Sequence, residues 1–271
     1  MVVFPYFEAR QFSVLGLTVH TFALLVGAAM LTGFLLAAQR GRRYGISRER
    51  IALFSVFLLA GGLFGARFGR VFYQPDLLRQ ALTDPRTLLQ NLHGISSFGA
   101  YFGGLAAALL FFRLHCQSTR ERLQFLDAVG FALPFSWCLG RIGCALVHDH
   151  PGILSSGWFT VAYPDGPRYD LGLLEALFLF LIGFLFLFLD RRKRPAGFYF
   201  ACYFTLYGPF RFLLDQLHVD PPRYAGWTVD QFGAALALAA AVIAWLFISR
   251  SSSHSSLETS RALPYRSISQ A

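Results

Sequence analysis

Two arginines sit where an apolar chain has little natural use for charge. Arg141 lies within the stretch Trp137 to Gly152, shortly before an apolar run yields to a polar turn. Arg211 follows Tyr207, Gly208 and Pro209 near the end of another apolar run. An ionised group in such a segment is expensive unless it is paired or used. A guanidinium keeps its charge when partly buried and grips phosphate through two parallel hydrogen bonds. The two therefore read as a clamp for an anionic headgroup, with Glu175 or Asp215 available to orient one of them. Gly140 and Gly143 frame Arg141 and let backbone or a ligand approach closely. The plainer alternative is that these arginines form structural ion pairs or snorkel to lipid headgroups.

His148, Asp149 and His150 follow where the chain should meet water. An imidazole can serve as a general base near neutral pH. Asp149 can orient such a base or accept Arg141 instead, and the plain alternative is an exposed polar turn. Two histidines and an aspartate can also touch a metal, but no further ligand has suitable spacing, so no metal site is expected. Cys144 would need a nearby base and a lowered pKa to act as a nucleophile. None of the four cysteines forms a Cys-x-x-Cys pair, and no disulfide framework is expected.

The elements that carry these groups follow from composition. Hydrophobic residues make up 55% of the 271, charged residues only 14%, and mean hydropathy is +0.48. A soluble domain carries about 25% charged residues. The fold class expected is an all-α polytopic membrane protein with seven transmembrane helices, over 14–38, 51–73, 95–114, 125–146, 171–189, 198–214 and 229–248. Residues 1–250 then form one transmembrane domain, and 251–271 a Ser-rich, disordered cytoplasmic tail. Residues 74–92 read as a loop with a short interfacial helix, and 147–170 as the largest polar connection, flanking the mouth of a site. Met1 to Arg10 lacks the charged start of a signal peptide.

Charge sets the orientation. The connections after the first, third and fifth runs, together with the tail, hold 15 of the 24 lysines and arginines. That asymmetry places the N-terminus outside and the C-terminus in the cytoplasm. The net charge of +9 is thus topology and lipid contact rather than nucleic-acid binding. With this orientation His20, Arg67, Ser96, Ser97, Arg141, Glu175 and Arg211 all fall in the outer half of the bundle. His20 has an ordinary alternative as a hydrogen-bonded histidine between helices.

Over residues 10 to 248 the chain resembles the prolipoprotein diacylglyceryl transferase family. The family signature opens Gly-Arg-x-Gly, continues with Asn-Phe and Asn-x-Glu, and closes with Gly. Gly140, Arg141, Ile142 and Gly143 match its opening, and Gly152 its end. Cys144 and Ala145 stand at Asn-Phe, Val147 at the second Asn, and Asp149 at the Glu. Gly65-Ala66-Arg67-Phe68-Gly69 matches the second-helix motif Gly-x-Arg-x-Gly, and Tyr207 to Arg211 with Asp215 matches Tyr-Gly-x-Phe-Arg and its acidic follower. Gly94, Ile95, Ser96 and Ser97 look like the glycine-rich segment, with Phe98 where its histidine belongs. His20 to Ala23 looks like His-x-Tyr-Gly with Phe22 at the tyrosine. The outer connection after the fourth helix looks shortened.

The resemblance implies transfer of diacylglyceryl from phosphatidylglycerol to the lipobox cysteine of a prolipoprotein signal peptide. It implies a multi-pass protein of the bacterial plasma (inner) membrane, working toward the periplasmic or outer side; a monomer without cofactor is expected. Arg141, Arg211, His148 and Asp149 would be catalytic. His20, Arg67, Ser96, Ser97, Gly140, Gly143, Glu175 and Tyr207 would bind substrate. With Phe98 in place of the histidine, His148 or His150 could substitute, or the thiolate needs no positioned base. Two alternatives stay open: a phospholipid-dependent transferase with another acceptor, and a lipid-binding or transport protein without chemistry.

Overall fold

Within lipid, backbone groups must be satisfied inside their own segment, so long apolar runs fold as helices. The computed structural model describes residues 3–14, 16–84, 86 and 96–261. Its helices are α1 (Thr21–Arg42), α2 (Arg48–Gly69), α3 (Pro75–Thr83), α4 (Ser97–His115), α5 (Thr119–Val147), α6 (Leu171–Leu189), α7 (Phe198–Leu214) and α8 (Val229–Arg261). The protein is an all-α polytopic membrane protein. Of the seven expected spans, α1, α2, α5, α6 and α8 are long and apolar enough to cross a membrane. α4 offers a shorter apolar stretch, Gly99–His115, and α7 has 17 residues.

Several boundaries differ from the hydropathy runs, each for a local reason. The first run begins not as helix but as a hairpin of β2 (Gln11–Val14) and β3 (Leu17–His20), reached after β1 (Val3–Phe4). Gly16, at φ +81°, makes the turn that a side chain would strain. α1 therefore starts seven residues late and extends to Arg42, drawing Arg40 into the helix. α5 starts at Thr119, where the Ser118 side chain accepts Glu121 N–H and caps the helix. α8 runs on to Arg261, into the segment expected as a disordered tail, since no Gly or Pro interrupts it there.

The connection from α5 to α6 is not a plain loop. It holds β4 (Pro151–Leu154), β5 (Thr160–Tyr163) and β6 (Gly166–Asp170), antiparallel to one another in the order β5-β6-β4, with β1 added parallel to β5. β7 (Arg223–Tyr224) and β8 (Trp227–Thr228) pair between α7 and α8, and Gly152 bridges to His218. Every strand described thus lies before α1 or in a connection at one end of the helix bundle. The other end has short turns between helices.

Packing fixes how the helices cross. α2 lies closely on α4 through glycines: a Cβ on Gly65 would sit 2.1 Å from the Gly99 carbonyl oxygen. Small residues substitute for hydrophobic force in lipid by letting backbones touch. At the short-turn end the aromatic rings of Phe54, Phe111, Phe112 and Phe125 form a core with centroids 4.8–6.5 Å apart. Below it Arg40, buried in α1, binds Asp127 of α5 at 3.0 Å and Asp190 after α6.

Candidate active site

α5, α6 and α7 bring the two arginines of the sequence to one buried level. Trp137, Arg141 and Cys144 share a face of α5, being spaced i, i+4 and i+7. Glu175 sits one turn into α6, whose N-terminus is capped by Asp170 accepting Leu173 N–H at 2.9 Å. Glu175 Oε1 lies 3.0 Å from Arg141 Nε, receives Trp137 Nε1–H at 2.9 Å, and receives the Tyr207 hydroxyl at 2.6 Å. The Tyr101 hydroxyl of α4 lies 3.3 Å from that of Tyr207. Glu175 is 1% exposed and Arg141 7%.

The geometry of Arg141 matters more than its burial. Its Nε–H has no aligned acceptor, so the contact with Glu175 is an ion pair without a directed hydrogen bond. Nη1 reaches only the soft sulfur of Cys144, at 3.7 Å. Three oxygen and nitrogen neighbours crowd Glu175 Oε1, and the guanidinium receives charge compensation while its donor fork remains available. Arg211, 6% exposed, has Asp230 at 3.4 Å and Asp215 at 3.8 Å, again without short directed bonds. Glu175 thus pairs with Arg141 and accepts from Tyr207, which lies one turn before Arg211 on α7.

The mouth is built differently. α5 ends on His148 in the left-handed conformation, φ +51°. Asp170 Oδ2 lies 2.6 Å from His148 Nδ1 and the Phe7 carbonyl oxygen 3.2 Å from Nε2. Both ring nitrogens face oxygen acceptors, Tyr6 stacks on the ring at 4.3 Å, and Tyr163 donates to Asp170 at 2.8 Å. His148 thus rivets the segment between β1 and β2 to the sheet and holds no lone pair toward the arginines. Burial and the bond to Asp170 push the Tyr163 hydroxyl well above its usual range.

A cleft of about 550 Å3 opens beside it, lined by Arg10, His20, Phe22, Ala23, Val147, His148 and Asp149. His20 is exposed at the foot of α1, in this cleft rather than beside Arg141. Asp149 is exposed and contacts His150. Burial pushes the Asp149 carboxyl up, but contact with His150 and the charges of His150 and Arg141 hold it below the usual aspartate range. Gly143 is buried against Phe22 and Leu25, while Gly140 has open space where a Cβ would point.

The remaining sequence candidates lie on α2 and at the start of α4. Ser96 is buried and caps α4, its hydroxyl accepting Gly99 N–H at 2.9 Å. Arg67 is exposed on α2. The side chains of Ser97 and Phe98 lie outside the described residues, as do Gly94 and Ile95. Sequence reasoning passed over Trp137, Tyr101 and Asp230. Trp137 was detectable as the residue four before Arg141, hence on its helical face. Tyr101 and Asp230 come from other helices and carried no such signal.

A model of the prolipoprotein diacylglyceryl transferase family matches residues 10–248. The chain belongs to that family. Its relatives include phosphatidylglycerol–prolipoprotein diacylglyceryl transferases of Clostridium tetani, 24% identical over 78% of this chain and 85% of the relative, and of Campylobacter hominis, 26% identical over 87% and 86%. That of Pseudomonas paraeruginosa is 26% identical over 84% of this chain and 87% of its own. In a prolipoprotein diacylglyceryl transferase family chain, Arg141 and Tyr207 are the arginine of the motif Gly140–Gly143 and the tyrosine of the motif Tyr207–Arg211. Two motifs roughly 70 residues apart in sequence meet at Glu175, through Arg141 and Tyr207.

Proposed function

We propose that this protein moves the diacylglyceryl group of phosphatidylglycerol onto the lipobox cysteine of a prolipoprotein at the outer side of a bacterial plasma membrane. The observation that carries this is the pair of buried guanidiniums, Arg141 and Arg211, with Arg141 paired for charge to Glu175 but its Nε–H left without an acceptor. A phosphodiester supplies the missing acceptors. The cysteine sulfur attacks the glyceryl carbon next to the phosphate and a carbon–sulfur bond forms. The carbon–oxygen bond breaks, its electron pair goes to the phosphate oxygen, glycerol phosphate leaves, and the thiol proton passes to water at the mouth. Arg141 and Arg211 stabilise the charge that grows on the leaving phosphate. Glu175, held by Trp137 and Tyr207, positions Arg141.

Seven spans, an outer N-terminus and a cytoplasmic C-terminus fit this assignment, since 15 of the 24 basic residues then face the cytoplasm. The strand-bearing end then faces outward, and its sheet and cleft flank the entry of an extended signal peptide. The protein works as a monomer in this scheme. Purified protein in vesicles with labelled phosphatidylglycerol and a lipobox peptide should yield the thioether-linked peptide and glycerol phosphate. Retention of phosphatidylglycerol without product, in folded protein, would leave a lipid-binding protein and sink the transferase assignment. Thiol labelling of a cysteine placed beyond Arg250 should occur only from the cytoplasmic side.

A further inference from the structure

The turn after α5 brings together three donors that the sequence separates. Because His148 takes the left-handed conformation, the chain reverses and returns Asp149 and His150 toward the last turn of the helix. One ligand atom each from Cys144, Asp149 and His150 then lie within 4.8 Å of one another. Cys144 is the third ligand that linear spacing hid: it sits five and six residues before the other two, on the preceding turns of helix. It also stands where the family signature carries asparagine, so the sulfur is a feature of this chain.

We propose that Cys144, Asp149 and His150 form a binding site for a borderline-soft divalent cation such as Zn2+ at the lip of the lipid site. One thiolate, one imidazole and one carboxylate are zinc donors, and three protein ligands leave a fourth position for water. Tetrahedral zinc spaces its ligand atoms roughly 3–4 Å apart, so the trio closes by about 1 Å on binding. Asp149 and His150 stand on an exposed turn that can make this adjustment. Asp149 lines the cleft, which is wide enough to admit hydrated ions. Binding releases the Cys144 proton to water, and thiolate plus carboxylate then neutralise the two charges of the ion. Arg141 Nη1, 3.7 Å from the sulfur, becomes an outer hydrogen-bond donor to the thiolate. The bound ion therefore holds Arg141 through its Nη1.

The test needs no transferase activity, so it fails or succeeds separately from the function proposed above. Chelator-stripped, full-length protein in detergent is titrated with Zn2+ against a competing dye, and with Co2+ while the thiolate-to-cobalt charge-transfer band is followed. One equivalent should bind with that band present. Cys144→Ser should abolish the band, and Asp149→Asn and His150→Ala should each weaken Zn2+ binding about tenfold or more. A variant with Cys116, Cys138 and Cys202 replaced by alanine should keep the band. In that background, Zn2+ should slow alkylation of Cys144, which tests the site even if Cys144→Ser does not fold. No stoichiometric binding, a band that survives Cys144→Ser in folded protein, or alkylation unaffected by Zn2+ would overturn the proposal.

Discussion

Arg40 and Arg141 are both buried arginines on membrane helices, and they are held in opposite ways. Arg40 donates Nε–H to Asp127 at 3.0 Å and Nη1–H to Asp190, and its guanidinium lies over Tyr199 and Phe131. Asp127 in turn receives the Tyr44 hydroxyl at 2.6 Å and Tyr199 N–H at 3.0 Å. Every member of that cluster has directed partners, and it ties α1, α5, α6 and α7 together. Arg141 has a carboxylate at 3.0 Å yet no aligned bond to it. A guanidinium with directed bonds to carboxylates is a staple, whereas one compensated for charge but without such bonds is prepared for an anion. Burial alone does not separate the two, but the count of directed hydrogen bonds does.

The largest expected effect breaks the staple. Arg40→Ala leaves Asp127 buried at 0% exposure without its cation and should destabilise the protein by about 3–5 kcal/mol. Thermal unfolding in detergent reads this loss, and turnover per folded molecule should stay near the parent value. If turnover collapses instead while stability holds, the contrast between the two arginines is wrong.

Arg141→Lys probes the other side of the contrast. Lysine keeps the charge and loses the planar fork. Turnover should fall roughly 10²-fold, the loss seen when an aligned oxyanion donor is removed, with melting temperature little changed. Near-normal turnover in folded protein would make Arg141 a second staple.

His148→Ala sharpens the boundary between site and mouth. It removes the bonds to Asp170 and Phe7, at a cost of about 1 kcal/mol each. Hydrogen exchange over residues 3–9 should quicken while turnover falls far less than in Arg141→Lys. A loss as severe as that of Arg141→Lys would restore His148 as the base.

The smallest effect lies at the α7–α8 corner. Burial pushes the Asp215 carboxyl up, but contacts with His218 and Thr228 and the Arg211 charge hold it below the usual aspartate range. A depressed carboxylate stabilises the fold fully above its unfolded pKa of about 3.9, and that stabilisation is lost as pH falls through the lower folded value. Asp215→Asn should therefore flatten the acid limb of a melting-temperature profile below pH 4. An unchanged acid limb would remove Asp215 from this account.

Much of the molecule was legible before any coordinates. Apolar runs of helix length fold as helices because lipid leaves the backbone no other partner, so α2, α4, α6 and α7 fell within a few residues of their expected ranges. Arg141 and Arg211 stood out because an unpaired charge is costly in an apolar run. Arg40 did not, since it was counted with a basic connection, and only the late start of α1 moved it inside. The three strands after α5 were missed because short strands in a Gly- and Pro-rich segment carry little periodic signal.

Composition, hydropathy and the two arginine motifs by themselves determined the class of protein, its helices and the charged residues worth watching, because those depend on local chemistry and solvent. Which carboxylate meets which arginine, and whether the meeting saturates it, depends on helix crossings set by contacts between residues far apart in the chain. Glu175 lies 34 residues after Arg141 and 32 before Tyr207 and meets both only because α6 packs beside α5 and α7. The same holds for Cys144, Asp149 and His150: a single left-handed residue, His148, folds them together. Tertiary structure alone decided both, because hydrogen-bond direction and ligand distance are properties of three-dimensional position that residue spacing does not encode.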